Sequence, residues 1–89
     1  MANDADLPAG ARPAWRAYRE MCASKQAYFD LLSRLEESAA SGPPTLAQQA
    51  QLARLLEQHD ARVKDFNSAL AGLTDPADRE ALLRRLQAD

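Results

Sequence analysis

Two long stripes of apolar residues at helical spacing, separated by one loop signal, constrain this chain more than anything else in it. The first runs from about Ala14 to Ala39 and the second from about Leu46 to Leu73, with Ser41-Gly42-Pro43-Pro44 between them. In the first stripe Trp15, Tyr18, Cys22, Lys25, Phe29, Leu32, Glu36 and Ala39 alternate steps of three and four, and Ala14, Met21, Tyr28 and Leu35 form an adjacent row. That period is helical, and the stripe is wider than a strict coiled-coil seam, as expected of a helix touching two neighbours. The second stripe carries Leu52, Leu55, Leu56, His59, Val63, Phe66, Leu70 and Leu73.

The punctuation agrees. Pro13 suits a first helical turn, where its missing N–H costs nothing. Gly42 is a natural helix terminator, and Pro43-Pro44 cannot continue a helix. Thr45 followed by Gln48 reads as a capping box. Gly72 weakens the last turn of the second helix. Asp75 then reads as an N-cap with Pro76 at the first helical position. The third helix places Leu82, Leu83 and Leu86 on one face, with Arg84 and Arg85 near its C-terminus, where cations suit the dipole. The chain has no Ile, a single Val (Val63) and two Thr (Thr45, Thr74), which argues against sheet. The expected fold is all-α: a long antiparallel helical hairpin plus a short C-terminal third helix. Helices are expected at about 13–41, 45–72 and 76–87, within a single helical domain spanning 13–89. Residues 1–12, rich in Asp, Ala, Pro and Gly, read as a disordered N-terminal segment.

Composition removes several function classes. A net charge of −2 with interspersed signs leaves no electrostatic footprint for nucleic acid or an anionic membrane. No run of about 18 apolar residues could span a bilayer. The start Met1-Ala2-Asn3-Asp4-Ala5-Asp6 lacks the basic and apolar regions of a secretory signal, so a cytoplasmic location is expected. The lone Cys22 cannot form an internal disulfide and reads as a small buried thiol, with an intermolecular disulfide or a reactive thiol as the alternatives. Asp30–Arg34, Asp60–Lys64, Asp75–Arg79 and Glu80–Arg84 are (i, i+4) pairs with the acid first, each contributing about 0.3 kcal/mol on a solvated face.

No cluster carries catalytic or metal chemistry, so no enzyme, no cofactor and no metal are expected. His59 is the only histidine. Helical zinc sites want His at (i, i+4) and di-iron bundles want Glu-x-x-His pairs, and neither is present. His59 reads instead as a half-buried, hydrogen-bonded side chain on the inner face of the second helix. Lys25 is the anomaly, a cation in an otherwise apolar row. Symmetric counting about residues 42–43 sets residue i opposite residue 85 − i, which brings Lys25 near Asp60. Lys25 reads either as a snorkelling side chain with its stem on the seam or as a seam ion pair that fixes register.

Four of the five aromatics, Trp15, Tyr18, Tyr28 and Phe29, lie on the first helix. Tyr28 and Phe29 are adjacent, so one faces the second helix and the other a third surface. Three leucines on a short helix cannot cover everything the hairpin carries. The aromatics read either as ordinary core packing against the third helix or as exposed anchors for a partner; on the second reading the candidate partner-binding residues are Trp15, Tyr18, Tyr28, Phe29, Leu32, Leu55 and Phe66. Leu82, Leu83 and Leu86 read as a detachable regulatory cover. The expected partner is a protein client offering a helical segment, with a homodimer pairing two hairpins into a four-helix bundle, or an adaptor subunit, as the alternative.

The segment Leu52-Ala53-Arg54-Leu55-Leu56-Glu57-Gln58-His59-Asp60-Ala61-Arg62-Val63-Lys64-Asp65-Phe66 resembles the second helix of FliT-type flagellar export chaperones, a leucine pair followed by a polar stretch and then alternating basic and apolar residues. Phe29-Asp30-Leu31-Leu32 stands where that family carries an aromatic-Asp-x-Leu segment, with Phe29 where Trp would be expected. The likeness covers roughly residues 14–88. The resemblance implies a cytosolic chaperone that binds a C-terminal helical segment of the filament-cap protein, blocks its premature assembly and aids its delivery to the export apparatus. It also implies that the C-terminal helix, with Leu82, Leu83 and Leu86, occludes the binding surface.

Overall fold

The computed structural model describes residues 7–88. Helix α1 spans Arg12–Glu37, α2 spans Leu46–Ala71 and α3 spans Pro76–Ala88, with 3-10 turns at Ala9–Ala11 and Ala39–Ser41. Among the described residues there is no strand. The all-α hairpin with a short third helix is what the apolar period predicts.

Each boundary has a local cause. At α2, Thr45 Oγ1 accepts from the Gln48 N–H at 3.1 Å and Gln48 Oε1 accepts from the Thr45 N–H at 2.8 Å, a reciprocal capping box. Replacing Thr45 with Ala should cost about 1 kcal/mol in urea unfolding, while Thr45→Ser should cost much less. At α3, Asp75 Oδ1 accepts from the Ala77 N–H at 2.9 Å, so Asp75 caps the helix that Pro76 begins. The first helix ends four residues before its expected limit. The Ser38 hydroxyl donates to the Arg34 carbonyl at 3.0 Å, and the chain tightens into the 3-10 turn at 39–41. Gly42, at φ 123°, therefore closes that turn and not α1 itself.

The two long helices pack antiparallel. Tyr18 lies against Phe66 with ring centroids 5.7 Å apart, the Arg62 guanidinium reaches Glu20 at 3.5 Å, and Ser24 meets His59. Symmetric counting places residue 24 opposite residue 61, and the structure places it against residue 59, half a turn away.

The core sits at one end, where α1 begins and α2 finishes. Leu7, Ala11, Ala14, Trp15, Leu73 and Leu82 form it, with Tyr18, Ala69, Ala81 and Leu86 packed around them. Residues 7–11 are thus not the disordered segment expected: Leu7 and Ala11 are buried, and the Arg12 Nε donates to the Leu7 carbonyl at 3.2 Å. Residues 1–6 of that segment lie outside the described residues. The reason is geometric. The outer side of Trp15 and Ala14 faces neither α2 nor solvent, and Leu7 and α3 together fill that space. Elsewhere along the hairpin only Leu35 is buried. The Cα radius of gyration, 16.8 Å, compares with about 12 Å for a compact chain of this length. Much of the molecule is therefore a two-helix ribbon with no second layer.

Candidate binding face

The ribbon has two unlike sides, and helical geometry sorts residues between them. At about 100° per residue, Ala14, Trp15 and Tyr18 begin a row on one flank of α1 that continues through Cys22, Lys25, Phe29 and Leu32. The same side of α2 presents Leu52, Leu56, Val63 and Leu70. The opposite side is polar, with Glu20, Gln58 and Arg62 flanking a shallow groove that also touches Ser24.

Residues 7–11 and α3 cover the first part of the apolar row, and nothing among the described residues covers the rest. Trp15 is 6% exposed, whereas Phe29 is 48% and Leu56 45% exposed. Cys22, Leu32, Leu52 and Val63 are half-buried between them. Leu46, at the loop end of α2, is more open still. Phe29 and Leu56 are thus the most open large apolar side chains along this flank away from the loop end.

The seven residues expected to bind a partner separate into two groups. Trp15 belongs to the core. Tyr18 stacks on it at 5.4 Å, and the Arg85 guanidinium lies 5.3 Å from the centre of the Trp15 ring. Buried beneath these contacts, Trp15 is no anchor while this end is folded. Phe66, half-buried against Tyr18, belongs to the same end. Tyr28, Phe29, Leu32 and Leu55 lie together in the loop half. Tyr28 turns toward α2 and is half-buried, while Phe29 points outward and meets the Tyr28 ring edge-on at 5.4 Å. Leu55 is half-buried at the seam, so Leu56, the neighbouring leucine, supplies more of the open surface.

The expected single leucine face of α3 does not exist. Leu82 is 1% exposed and Leu86 packs beside the core, but Leu83 is 55% exposed. A second apolar crevice lies here, lined by Leu70, Leu73, Arg79, Leu82 and Leu83. Adjacent leucines sit 100° apart, and α3 packs through one side only. Nor does α3 lie over Phe29: it packs on the 3-10 turn at 9–11 and on Trp15. Detaching it would open the core before it changed access to Phe29.

Lys25 does not pair with Asp60. Lys25 is exposed on the apolar flank, and among the described residues the cross-helix ion pair is Arg62–Glu20, on the other side of the ribbon. Of the four expected (i, i+4) pairs, Glu80–Arg84 forms at 2.6 Å, while Asp30 instead accepts from Gln26 at 2.8 Å.

Ser24 was not singled out by the sequence, and it supplies the polar contact within the seam. Its hydroxyl donates to the Met21 carbonyl at 2.8 Å, and its oxygen lies 2.9 Å from His59 Nδ1. With its single proton engaged at the Met21 carbonyl, Ser24 serves as acceptor and an Nδ1–H of His59 as donor. The arrangement pins one rung of the hairpin. Ser24→Ala should cost about 1 kcal/mol in urea unfolding, because the half-buried Nδ1–H loses its acceptor. Among the described residues no group of three or more His, Cys, Asp or Glu could hold a metal ion. Among the described residues no helix is long and apolar enough to cross a membrane.

Comparison with family models, with curated proteins and with solved structures finds no match to this chain.

Proposed function

We propose that the protein is a helix-binding protein, without catalytic activity, that shields an apolar helix of a client protein along the uncovered flank of its hairpin. The observation that carries the reading is the interrupted row on α1: Ala14, Trp15 and Tyr18 are covered by residues 7–11 and α3, while Phe29 and Leu32 in the same row are not. The flank of α1 and α2 in the loop half is therefore left open, and an amphipathic helix is the shape that would cover it. Export chaperones of flagellar type work by such shielding, and the likeness of Phe29-Asp30-Leu31-Leu32 and the α2 segment to that family supports placing this chain's role there, in the cytoplasm.

The test is a titration with a synthetic 18-residue amphipathic peptide carrying leucines at i, i+3, i+4 and i+7, against a control of the same composition with scrambled order. Calorimetry should show saturable binding of the first peptide only. NMR shifts should cluster on Cys22, Phe29, Leu32, Leu52 and Leu56. Equal response to both peptides, or shifts confined to the Leu70–Leu83 crevice, would remove the reading.

A further inference from the structure

We infer that, when no client helix is present, a second copy of this chain covers the same face, packed antiparallel across a two-fold axis that lies in the interface at the level of Phe29 and Leu56. The inference rests on the reading of this flank as a docking surface and names its resident occupant. Three observations support it. Away from the loop end, where Leu46 is more open still, the two most exposed large apolar residues of the hairpin, Phe29 and Leu56, lie at one level. From the contacts Ser24–His59 and Glu20–Arg62, residue 56 stands opposite about residue 27, some 3 Å along the axis from Phe29. A residue on a two-fold axis meets its own copy, so a self-complementary interface places its most prominent apolar groups there.

The position of α3 selects the antiparallel orientation. It occupies the flank at the core end of the hairpin. With two hairpins face to face and parallel, both third helices would compete for one space. Antiparallel, each α3 lies beyond the other copy's loop, and only the uncovered halves overlap.

Charge supplies the third support and accounts for Lys25. The apolar row contains two charged residues, Lys25 and Glu36, of opposite sign and both exposed. An axis at the level of Phe29 sets Lys25 opposite residue 33 of the second copy, about 4.5 Å along the axis from Glu36. Helical side chains tilt toward their own N-termini, which in an antiparallel pair carries these two toward each other. Two symmetry-related Lys25–Glu36 pairs would then flank the Phe29 and Leu56 contacts.

Sedimentation equilibrium of the full chain should show a monomer–dimer equilibrium. Lys25→Glu and Glu36→Lys should each weaken the dimer at least tenfold, and the double variant should recover most of the loss, because each single change sets like charges together twice. In a Cys22→Ser background, Phe29→Cys should form an intermolecular disulfide on mild oxidation, whereas Gln58→Cys, on the polar side, should not. A chain that stays monomeric at millimolar concentration overturns the inference, as does equal cross-linking at 29 and 58 or charge reversal without rescue. Peptide binding by a strictly monomeric chain would leave the client reading standing, so the two fail separately.

Discussion

Leu82→Ala is expected to destabilise the protein by roughly 3 kcal/mol. Among the described residues Leu82 is the largest fully buried side chain, and its neighbours, Leu7, Ala11, Ala14, Trp15 and Leu73, come from both the N-terminal stretch 7–15 and the link between α2 and α3. Truncating it leaves a hole where all of them meet. A domain of this size holds something like 4–13 kcal/mol in total, so the loss is a large share of its stability. Urea unfolding followed by far-ultraviolet circular dichroism should show the midpoint fall accordingly. Leu83→Ala, one residue on and 55% exposed, should change it by less than about 0.5 kcal/mol. Similar effects at 82 and 83 would mean that α3 is not seated as described.

The second large effect is on binding. Phe29→Asp should weaken association with the amphipathic helical peptide by at least tenfold while leaving the urea midpoint almost unchanged. Burying a phenylalanine side chain is worth about 1.5–3 kcal/mol, equivalent to a factor of roughly ten to one hundred in affinity, and a carboxylate in its place must be desolvated as well. Stability is spared because Phe29 is nearly half exposed and lies far from the Trp15–Leu82 core. This dissociation of binding from folding is the signature of a docking residue. A variant that unfolds, or that binds the peptide as tightly as before, would place Phe29 among structural contacts instead.

The sequence made the hairpin readable because several local signals agree there. Apolar steps of three and four, Gly42-Pro43-Pro44, the Thr45–Gln48 box and Asp75-Pro76 each act within a few residues, and each produces the element its chemistry requires. What could not be read depends on contacts between distant segments. Leu7 is a lone apolar residue in a polar stretch, and only the empty space beside Trp15 makes it core. Leu82 and Leu83 are chemically identical, so their division between inside and outside needs the position of the 9–11 turn. The register count came within two residues of the Ser24–His59 contact, yet Ser24 has no pattern of its own to attract notice. For the candidate site, the row holding Phe29 and Leu32 was legible, and so was the opposed aim of Tyr28 and Phe29. The fate of Trp15 was not, because the same row is covered at one end and open at the other.

The Trp15–Arg85 contact turns the protein into its own asymmetric gauge. The chain has one indole, lodged at the core end beneath a cation and beside Tyr18. Its ultraviolet emission will register the loosening of that end and stay silent while the far tip of the hairpin frays, so fluorescence and amide-band melting curves should part company, the optical record dividing the molecule into an anchored root and a restless blade.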